Sequence, residues 1–513
     1  MKTIKIALFL AVSCSDLDLS PRDKAASGSW FQTAEQFELN LNALLHHTYW
    51  PMERNEWTSG NQTELDMLTD DGQNRNSPGR FLIDGVNSDY PLSVRMWDIT
   101  YTGINRCNKI ITELRKHEGR IEQARYDRIM ANARFYRACF YARIMIHFGD
   151  PVVVPEDMDM DSEQGRESAY ELTRSDMWTV LPDILKEFDD VAPILPVSYG
   201  GEIERATRGA AMALKARLLL FEASKLVNPS NDAAKWQAAA DAAKAVIEKE
   251  AQAGYDLFGD YRKLFLPANE HSCECVFNIE FSKTKNTAVN SFNVYSVQYR
   301  NNAPLLDLVM DYRTTTDGAA TMGKYDNLDP RFAATNFYPG STFLGKVNCP
   351  AGEVCQFTGF AHRKLTIYDA QKRDSDDSNG ETNYMFIRYA DVLLMFAEAQ
   401  NEVDATPSDA VYDAVNRVRG RVGMPTYAYG SKSQSEMREI IRHERRVEFA
   451  GEGLYYNDIR RWMTAELVMN AVIQDYAGTD IAVRAFDPDR DYWWPVPADQ
   501  ILLNKKLEQN PNY

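Results

Sequence analysis

Residues 442–462 read RHERRVEFAGEGLYYNDIRRW, in which two charged segments flank a turn marked by Gly451 and Gly453. Phe449, Leu454, Tyr455 and Trp462 supply apolar anchors around the turn. Buried networks of arginine and carboxylate more often hold a fold together than bind a ligand. The pattern predicts a helix end, a turn and the next helix start, locked by pairs of Arg445, Arg446, Arg460 and Arg461 with Glu448, Glu452 and Asp458.

Helix dominates on both sides of a less regular middle. Apolar residues recur every three or four positions in residues 94–114, 121–147 and 175–188, and Thr33 and Thr207 precede further runs as helix caps. Two helix–turn–helix pairs carry small residues where the helices would meet, as in tetratricopeptide-like hairpins that stack into solenoids. These are Ala211, Ala213 and Ala216 with Ala239 and Ala243, and Ala397 and Ala399 with Ala414.

Two regions between the helical blocks are rich in aromatic, Asn and Gly residues. Long irregular stretches inside a compact protein are usually functional loops. The predicted fold class is therefore mainly α: a tetratricopeptide-like helical-hairpin scaffold with long irregular loops and a few short β-strands. The helical scaffold is expected at residues 29–250 and 386–513, and the loop-rich, ligand-facing parts at residues 50–93 and 252–385.

The bulk properties narrow the function classes. The chain has 513 residues and a formal charge of −17, with no basic stripe, which argues against a nucleic-acid partner. Its hydrophobic and charged fractions are those of a soluble globular protein. Beyond the N-terminus, no apolar run approaches the roughly 20 residues that a transmembrane helix needs.

The N-terminus, MKTIKIALFLAVSC, predicts an export signal over residues 1–13. Cys14 follows an apolar run and a small residue, which resembles a bacterial lipobox, although Ala11 stands where such boxes usually carry Leu. We expect lipidation of Cys14, a lipidated tether over residues 14–28 and membrane association through the lipid alone. A plain secretory signal with an incidental cysteine is the alternative.

The other cysteines divide by context. Cys349 and Cys355 flank a short turn-rich loop and are the best candidate disulfide pair. Cys107 and Cys139 lie in apolar helical contexts and are expected to be inert core thiols. Cysteine and histidine spacing predicts no metal site.

Several segments together resemble the SusD/RagB family of nutrient-binding surface lipoproteins of Bacteroidetes. They include residues 442–462, the lipobox-like start and NLDPRFAATNFYPG at residues 327–340. The others are WDITYTGINRCNKII at 97–111, FIRYADVLLMFAEAQNE at 386–402, AVNRVRGRVGMP at 414–425 and WWPVPADQILLNKKLEQNPNY at 493–513.

The resemblance implies a single domain over residues 29–513 and an outer-membrane, cell-surface location. It implies capture of oligosaccharides, or in some relatives of peptides, for a SusC-like TonB-dependent transporter. It implies no cofactor and no catalytic residue.

Candidate ligand-binding residues are aromatic and polar side chains in the loops, because aromatic rings stack on the apolar faces of sugars and amides or charged groups bond the hydroxyls. Trp97, on a periodic helical face, is expected in the core instead. Each candidate could equally be a packing residue. The nine candidates are Trp57, Asn61, Asp71, Arg75, Arg80, Tyr90, Tyr295, Tyr299 and Asn301.

A third loop, FYPGSTFLG, adds the aromatic residues Phe337, Tyr338 and Phe343 as candidates.

Two other functions are weighed against glycan capture. A peptide-capturing relative of the same fold is the alternative, and a secreted carbohydrate-active enzyme is a distant third. Glycoside hydrolysis needs two carboxylates facing each other across a cleft, and Asp70–Asp71 and Asp326–Asp329 are possible sources. A calcium site at Asp374, Asp376, Ser378 and Glu381 is conceivable but lacks the spacing of an EF-hand.

Overall fold

In this computed structural model, the structure describes residues 30–44, 62–74, 87–200, 205–281, 292, 302–343, 346–347, 357–368 and 380–513. Helices account for most of the regular structure. They are α1 (Ala34–Leu44), α2 (Pro91–Arg115), α3 (Gln123–Phe148), α4 (Glu163–Ala169), α5 (Met177–Val191), α6 (Arg208–Ala223), α7 (Ala233–Ile247), α8 (Glu250–Ala253), α9 (Tyr261–Leu264), α10 (Leu306–Asp311), α11 (Pro330–Thr335), α12 (Tyr389–Val403), α13 (Asp409–Arg421), α14 (Gln434–Phe449), α15 (Tyr455–Arg461), α16 (Ala465–Val468) and α17 (Ala498–Leu503). Two 3₁₀ helices cover Gln62–Leu68 and Pro267–Asn269.

The strands are short and pair two by two, antiparallel in each case. They are β1 (Gly72–Asn74), β2 (Cys275–Ile279), β3 (Asn302–Pro304), β4 (Asn336–Phe337), β5 (Thr342–Phe343), β6 (Lys346–Val347), β7 (Ala361–His362), β8 (Tyr384–Arg388), β9 (Val472–Gln474) and β10 (Asp480–Val483). The pairs are β1–β3, β2–β8, β4–β7, β5–β6 and β9–β10.

Local chemistry sets the helix ends close to where the sequence predicts them. The Thr207 hydroxyl accepts a hydrogen bond from the Ala210 N–H at 3.2 Å and starts α6. Ser433 and Glu436 form a capping box at the start of α14. Gly149, at φ 76°, ends α3 in a conformation that side chains with a Cβ rarely adopt.

The two small-residue helix pairs form as predicted. Helix α6 packs on α7, α12 packs on α13, and α7 also packs on α12, so the pairs stack in a tetratricopeptide-like manner. The alanines at these contacts are buried, because only small side chains let helix backbones approach closely. The predicted mainly helical fold class is confirmed.

Helices α2 and α3 form a further long pair whose inner faces join the same cores. Trp97 is buried against Phe148, with ring centroids 5.1 Å apart, as the helical periodicity predicts. Cys107 and Cys139 are buried free thiols, and burial raises the pKa of both. These two predictions are confirmed. Within the described residues, no helix is both long enough and apolar enough to cross a bilayer.

One predicted loop is partly wrong. Residues 62–74, expected in a surface recognition edge, instead form a 3₁₀ helix followed by β1, and almost all of them are buried. Leu65, Met67 and Leu68 supply the buried apolar side of this segment. Its acidic residues point into an ionic network described below, which is why a polar stretch lies inside.

Candidate functional site

The 3₁₀ helix Gln62–Leu68 contacts the turn that contains Gly451 and Gly453. Gly451 and Gly453 both have positive φ, at 80° and 74°. Their N–H groups each donate to the Asp66 Oδ2 atom at 2.9 Å. Burial raises the pKa of Asp66 to about 7, and the two N–H groups oppose the rise. One carboxylate therefore joins chain segments separated by 385 residues.

A buried lysine closes the other side of this turn. The Lys364 ammonium pairs with the Glu452 carboxylate at 2.6 Å and donates to the carbonyls of Glu448 and Ala450. Burial lowers the pKa of Lys364 to about 8, and Glu452 opposes the fall. Lys364 lies two residues after β7, so the segment after this strand contacts the same turn as Asp66.

An extended arginine network lies behind the turn. Arg388 is almost fully buried and pairs with Glu274, Glu448 and Glu452 at 2.6 to 2.9 Å. Arg331, from the Asp-Pro-Arg segment, also reaches Glu448 at 2.9 Å. Burial would raise the pKa of Glu448, but its arginine partners outweigh burial and hold the pKa well below its usual range. Buried charge of this kind is costly unless it is paired, so these residues serve the scaffold.

The scaffold interpretation of residues 442–462 agrees with these contacts, although several partners differ from those predicted. Arg445 and Arg461 do pair with Asp458. Arg460 instead donates to the backbone carbonyl of Tyr492. Arg446 turns toward the N-terminal segment.

Arg446 binds two carboxylates of that segment, Asp70 at 2.7 Å and Asp71 at 2.6 Å. Nearby, the Arg484 guanidinium donates to the Gly72 carbonyl at 2.5 Å. Burial lowers the pKa of Arg484 to about 10, against the pull of the surrounding aspartates. Residues 66–72 are therefore held in place by charges that come from the C-terminal 70 residues.

Strands β1 and β3 form the junction from which two predicted recognition loops leave. Asn74, the last residue of β1, is the register partner of Asn302, the first residue of β3. The Asn74 Nδ2 group donates to the Asn302 Oδ1 atom at 3.2 Å. Because the strands are antiparallel, the chain after residue 74 and the chain before residue 302 depart from the same end of the pair.

Seven of the nine predicted ligand-binding residues lie outside the described residues: Trp57, Asn61, Arg75, Arg80, Tyr295, Tyr299 and Asn301. So do Cys14, the Cys349–Cys355 pair, and Asp374, Asp376 and Ser378 of the conceivable calcium site.

The remaining two candidates, Asp71 and Tyr90, are only 1% and 5% exposed. Asp71 is ion-paired to Arg446, and Tyr90 packs in the core that contains Trp97. The structure thus places both in the interior, where a ligand on the surface would not contact them in this conformation.

The third predicted loop is partly buried. Phe337 is buried, whereas Tyr338 and Phe343 are half-buried. Tyr338 lies in a cluster with Tyr325 and Phe332, at ring-centroid distances of 5.2 and 4.8 Å. This cluster forms part of a small core, with one partly exposed edge.

Sequence reasoning did not identify Asp66, Lys364 and Arg484 as anchors of the site. Their partners lie 80 or more residues away, and single-sequence patterns carry no information on such pairs. The alternation of Leu65, Met67 and Leu68 with acidic residues was the one signal that this stretch has a buried side.

The arrangement offers little for hydrolysis among the described residues. Asp70 and Asp71 both bind Arg446, and Asp329 binds Arg331 at 2.6 Å. No three His, Cys, Asp or Glu side chains of the described ranges are grouped so as to hold a metal ion.

Two family models match the chain. One, described as "SusD family", matches residues 273–513, and the other, described as "Starch-binding associating with outer membrane", matches residues 17–220. Together they cover most of the first helical block, the whole of the second and both strands of the β1–β3 junction. No matched range includes residues 221–272.

Relatives align over nearly the whole chain. The SusD-like protein P2 of Formosa agariphila is 25% identical and covers 100% of this chain and 99% of its own. A crystal structure of a SusD-like carbohydrate-binding protein from Bacteroides fragilis is 24% identical, with a TM-score of 0.81, and covers 93% of this chain and 99% of its own. The surface glycan-binding protein A of Bacteroides uniformis is 18% identical, with a TM-score of 0.70, and covers the same 93% and 99%.

The matched ranges contain the resembling segments from residue 97 onward, and the fold agrees with that of the solved relatives. The chain therefore belongs to the SusD family.

Proposed function

We propose that the protein is a cell-surface lipoprotein that captures oligosaccharides and delivers them to a TonB-dependent outer-membrane transporter. The observation that carries this proposal is membership of a family whose relatives are named for carbohydrate and glycan binding, over almost the full chain. The description of the N-terminal family model adds starch binding and association with the outer membrane.

The β1–β3 junction supports a shared recognition surface. Asn74 ends β1 and its register partner Asn302 begins β3, and in the sequence the candidates Arg75 and Asn301 are adjacent to these two residues. The buried anchors Asp66, Arg446 and Arg484 make that starting point rigid. A rigid base under variable loops is the usual way in which a fold carries a binding site.

Glycan binding is tested by calorimetric titration of the chain lacking residues 1–14 with plant, host and microbial polysaccharides and a peptide mixture. We expect saturable binding to a polysaccharide without release of shorter products. Binding of peptides alone would move the protein to the peptide-capturing alternative, and product release would make it an enzyme.

The loop residues are tested by Trp57→Ala and Tyr295→Ala, with Trp178→Ala as a matched control. Trp178 is 43% exposed on α5, in the helical scaffold. Loss of one stacking ring should weaken affinity about 5- to 10-fold. Unchanged affinity in both loop variants would show that the predicted loops do not bind the ligand.

The anchor and the partner need their own measurements. We expect a diacylglycerol-modified Cys14 at the N-terminus of the mature protein, seen by mass spectrometry and absent from Cys14→Ala. We expect a TonB-dependent transporter to co-purify with the protein from outer membranes.

A further inference from the structure

The exposed side of α2 lines a groove that the recognition loops do not account for. Its opposite wall is the chain from Val152 to Leu172, and one end is closed by α17 and the residues after it. We call it the α2 groove. Its larger part encloses about 450 Å³, which lies within the range of about 300–1,000 Å³ typical of small-ligand pockets.

A second part, of about 410 Å³, continues the groove toward Trp30 and Phe31. Thr102, Asn105 and Met160 line both parts, so the two form one continuous trough along the helix.

The walls of the groove are fixed to each other. The Tyr101 hydroxyl accepts a hydrogen bond from the Val152 N–H at 2.7 Å. The Thr112 hydroxyl donates to the Glu156 carbonyl at 2.9 Å. At the other end, the Asn504 side chain donates to the Leu172 carbonyl at 2.7 Å. The walls of the trough are therefore preformed, which lowers the entropic cost of binding.

The chemistry of the larger part is aromatic and uncharged-polar. Tyr101 and Tyr170 contribute rings: Tyr101 is half-buried and Tyr170 is 43% exposed, whereas Trp97 is buried in the core beneath them. Among the described residues that line this part, Asp98 is the one ionisable group besides the tyrosines. The polar lining is completed by the hydroxyl of Thr102 and the amides of Asn105, Gln500 and Asn504.

Two side chains that line the groove, Asp98 and Asn105, carry hydrogen-bond acceptors. The Asn105 Oδ1 atom is buried and accepts no hydrogen bond from any residue that the structure describes. The Asp98 Oδ1 atom accepts one long hydrogen bond, from the Gln500 Nε2 group at 3.3 Å. A ligand that carries O–H groups on an apolar ring satisfies both the acceptors and the aromatic surface.

We propose that the α2 groove binds a short, uncharged carbohydrate at a site separate from the recognition loops. A peptide is disfavoured, because the described helices of the groove use their backbone groups internally and offer no open strand edge for a peptide backbone. In the larger part, an anionic ligand is disfavoured by Asp98 and by the absence of Lys, Arg or His from the described lining. The smaller part carries Arg106 and Lys109, so the uncharged ligand is assigned to the larger part.

The test uses the full chain purified in a detergent without a sugar headgroup. Maltotriose, laminaritriose, cellotriose and xylotriose are titrated to 50 mM and followed by saturation-transfer NMR, with trialanine as the peptide probe. We expect saturable binding of at least one trisaccharide. Tyr170→Ala and Asn105→Leu should each weaken it about 5- to 10-fold, and circular dichroism verifies that both variants are folded.

Tyr429→Ala is the matched control, since Tyr429 is 59% exposed and lies beside α13. It should leave the affinity unchanged. Trp57→Ala reports on the recognition loops, and its effect is compared with that of Tyr170→Ala. The proposal is overturned if no trisaccharide saturates, if trialanine alone binds, or if binding survives both groove variants. Loss in Trp57→Ala with no loss in Tyr170→Ala would leave the loop site standing and remove the groove site.

Discussion

Asp66 shows how much of this structure depends on single buried polar groups. Its carboxylate satisfies two backbone N–H groups in a turn whose glycines have positive φ, where no regular helix bond is available. An unpaired buried donor costs about 1–3 kcal/mol, so each of these hydrogen bonds matters for the turn.

Replacing Asp66 tests this role. We expect Asp66→Ala to lower the free energy of unfolding by about 2–5 kcal/mol, because two buried N–H groups lose their acceptor. Asp66→Asn keeps a carbonyl acceptor and should lose much less. Urea unfolding measures both, with the exposed Asp157→Ala as control. Equal losses in the Ala and Asn variants would contradict the acceptor role.

The raised pKa of Asp66 gives a pH signature. Its pKa is about 7 in the folded protein against an ordinary value of 3.8, so the folded state holds the proton more tightly. This contribution to stability is complete below about pH 4 and is lost as the pH rises toward 7. Relative to Asp66→Asn, the wild type should therefore lose stability between pH 4 and pH 7 in urea unfolding. A constant difference across this range would refute the assignment.

At the scale of elements, close approach of helices depends on alanine. Ala239 in α7 is buried at the helix contacts, whereas its neighbour Ala238 is exposed. Since successive helix residues point about 100° apart, the two positions make a matched pair.

We expect Ala239→Leu to destabilise the protein by about 1–3 kcal/mol, because the extra methyl groups must push two helices apart. Ala238→Leu should change stability by less than about 0.5 kcal/mol. The melting temperatures of the two variants, measured by thermal unfolding, test this difference. Similar melting temperatures would mean that the helix pair tolerates a wider spacing.

The helices could be predicted because their information is local. Thr207, Ser433 and Gly149 mark ends through bonds within a few residues, and buried alanines recur at helical spacing. The 3₁₀ helix at 62–68 could not be predicted, because its buried Asp66 is satisfied by the N–H groups of Gly451 and Gly453, at least 385 residues later.

At the scale of the whole molecule, buried ionic networks join distant segments of the described chain. In one of them, Arg388 pairs with three glutamates from distant segments. Removing one member of a buried ion pair leaves uncompensated charge and costs about 3–5 kcal/mol.

Arg388→Ala should therefore lower the free energy of unfolding by at least about 3 kcal/mol. Lys186→Ala is the matched control, since its pair with Asp190 lies at the surface and should contribute under about 1 kcal/mol. Urea denaturation monitored by fluorescence compares them. A loss no larger than that of the control would show that Arg388 is dispensable.

Acid should weaken a second buried network, in which Asp391 pairs with Arg217 and Arg445. Burial would raise the pKa of Asp391, but Arg217 and Arg445 outweigh it and lower the pKa to about 2. Stability from this group is present above about pH 4 and is lost as the pH falls toward 2. The destabilisation caused by Asp391→Asn should therefore be largest near pH 6 and shrink toward pH 2. A pH-independent effect in urea unfolding would contradict this.

The family could be predicted, whereas the buried positions of Asp71 and Tyr90 could not. The signature at 442–462 identifies the scaffold because buried charge leaves a distinctive pattern. Asp71 was expected at the ligand because acidic loop residues look alike in sequence, whether they meet a sugar or Arg446. Only three-dimensional placement separates these two environments.

The contacts between residues 66–74 and the C-terminal segments have a consequence for the order in which the chain folds. Synthesis proceeds from the N-terminus, so Asp66 is made hundreds of residues before Gly451, Arg446 and Arg484. Closing such long loops is entropically expensive and slows folding. We expect the first segment to remain unassembled and open to proteases until the final 70 residues have been made.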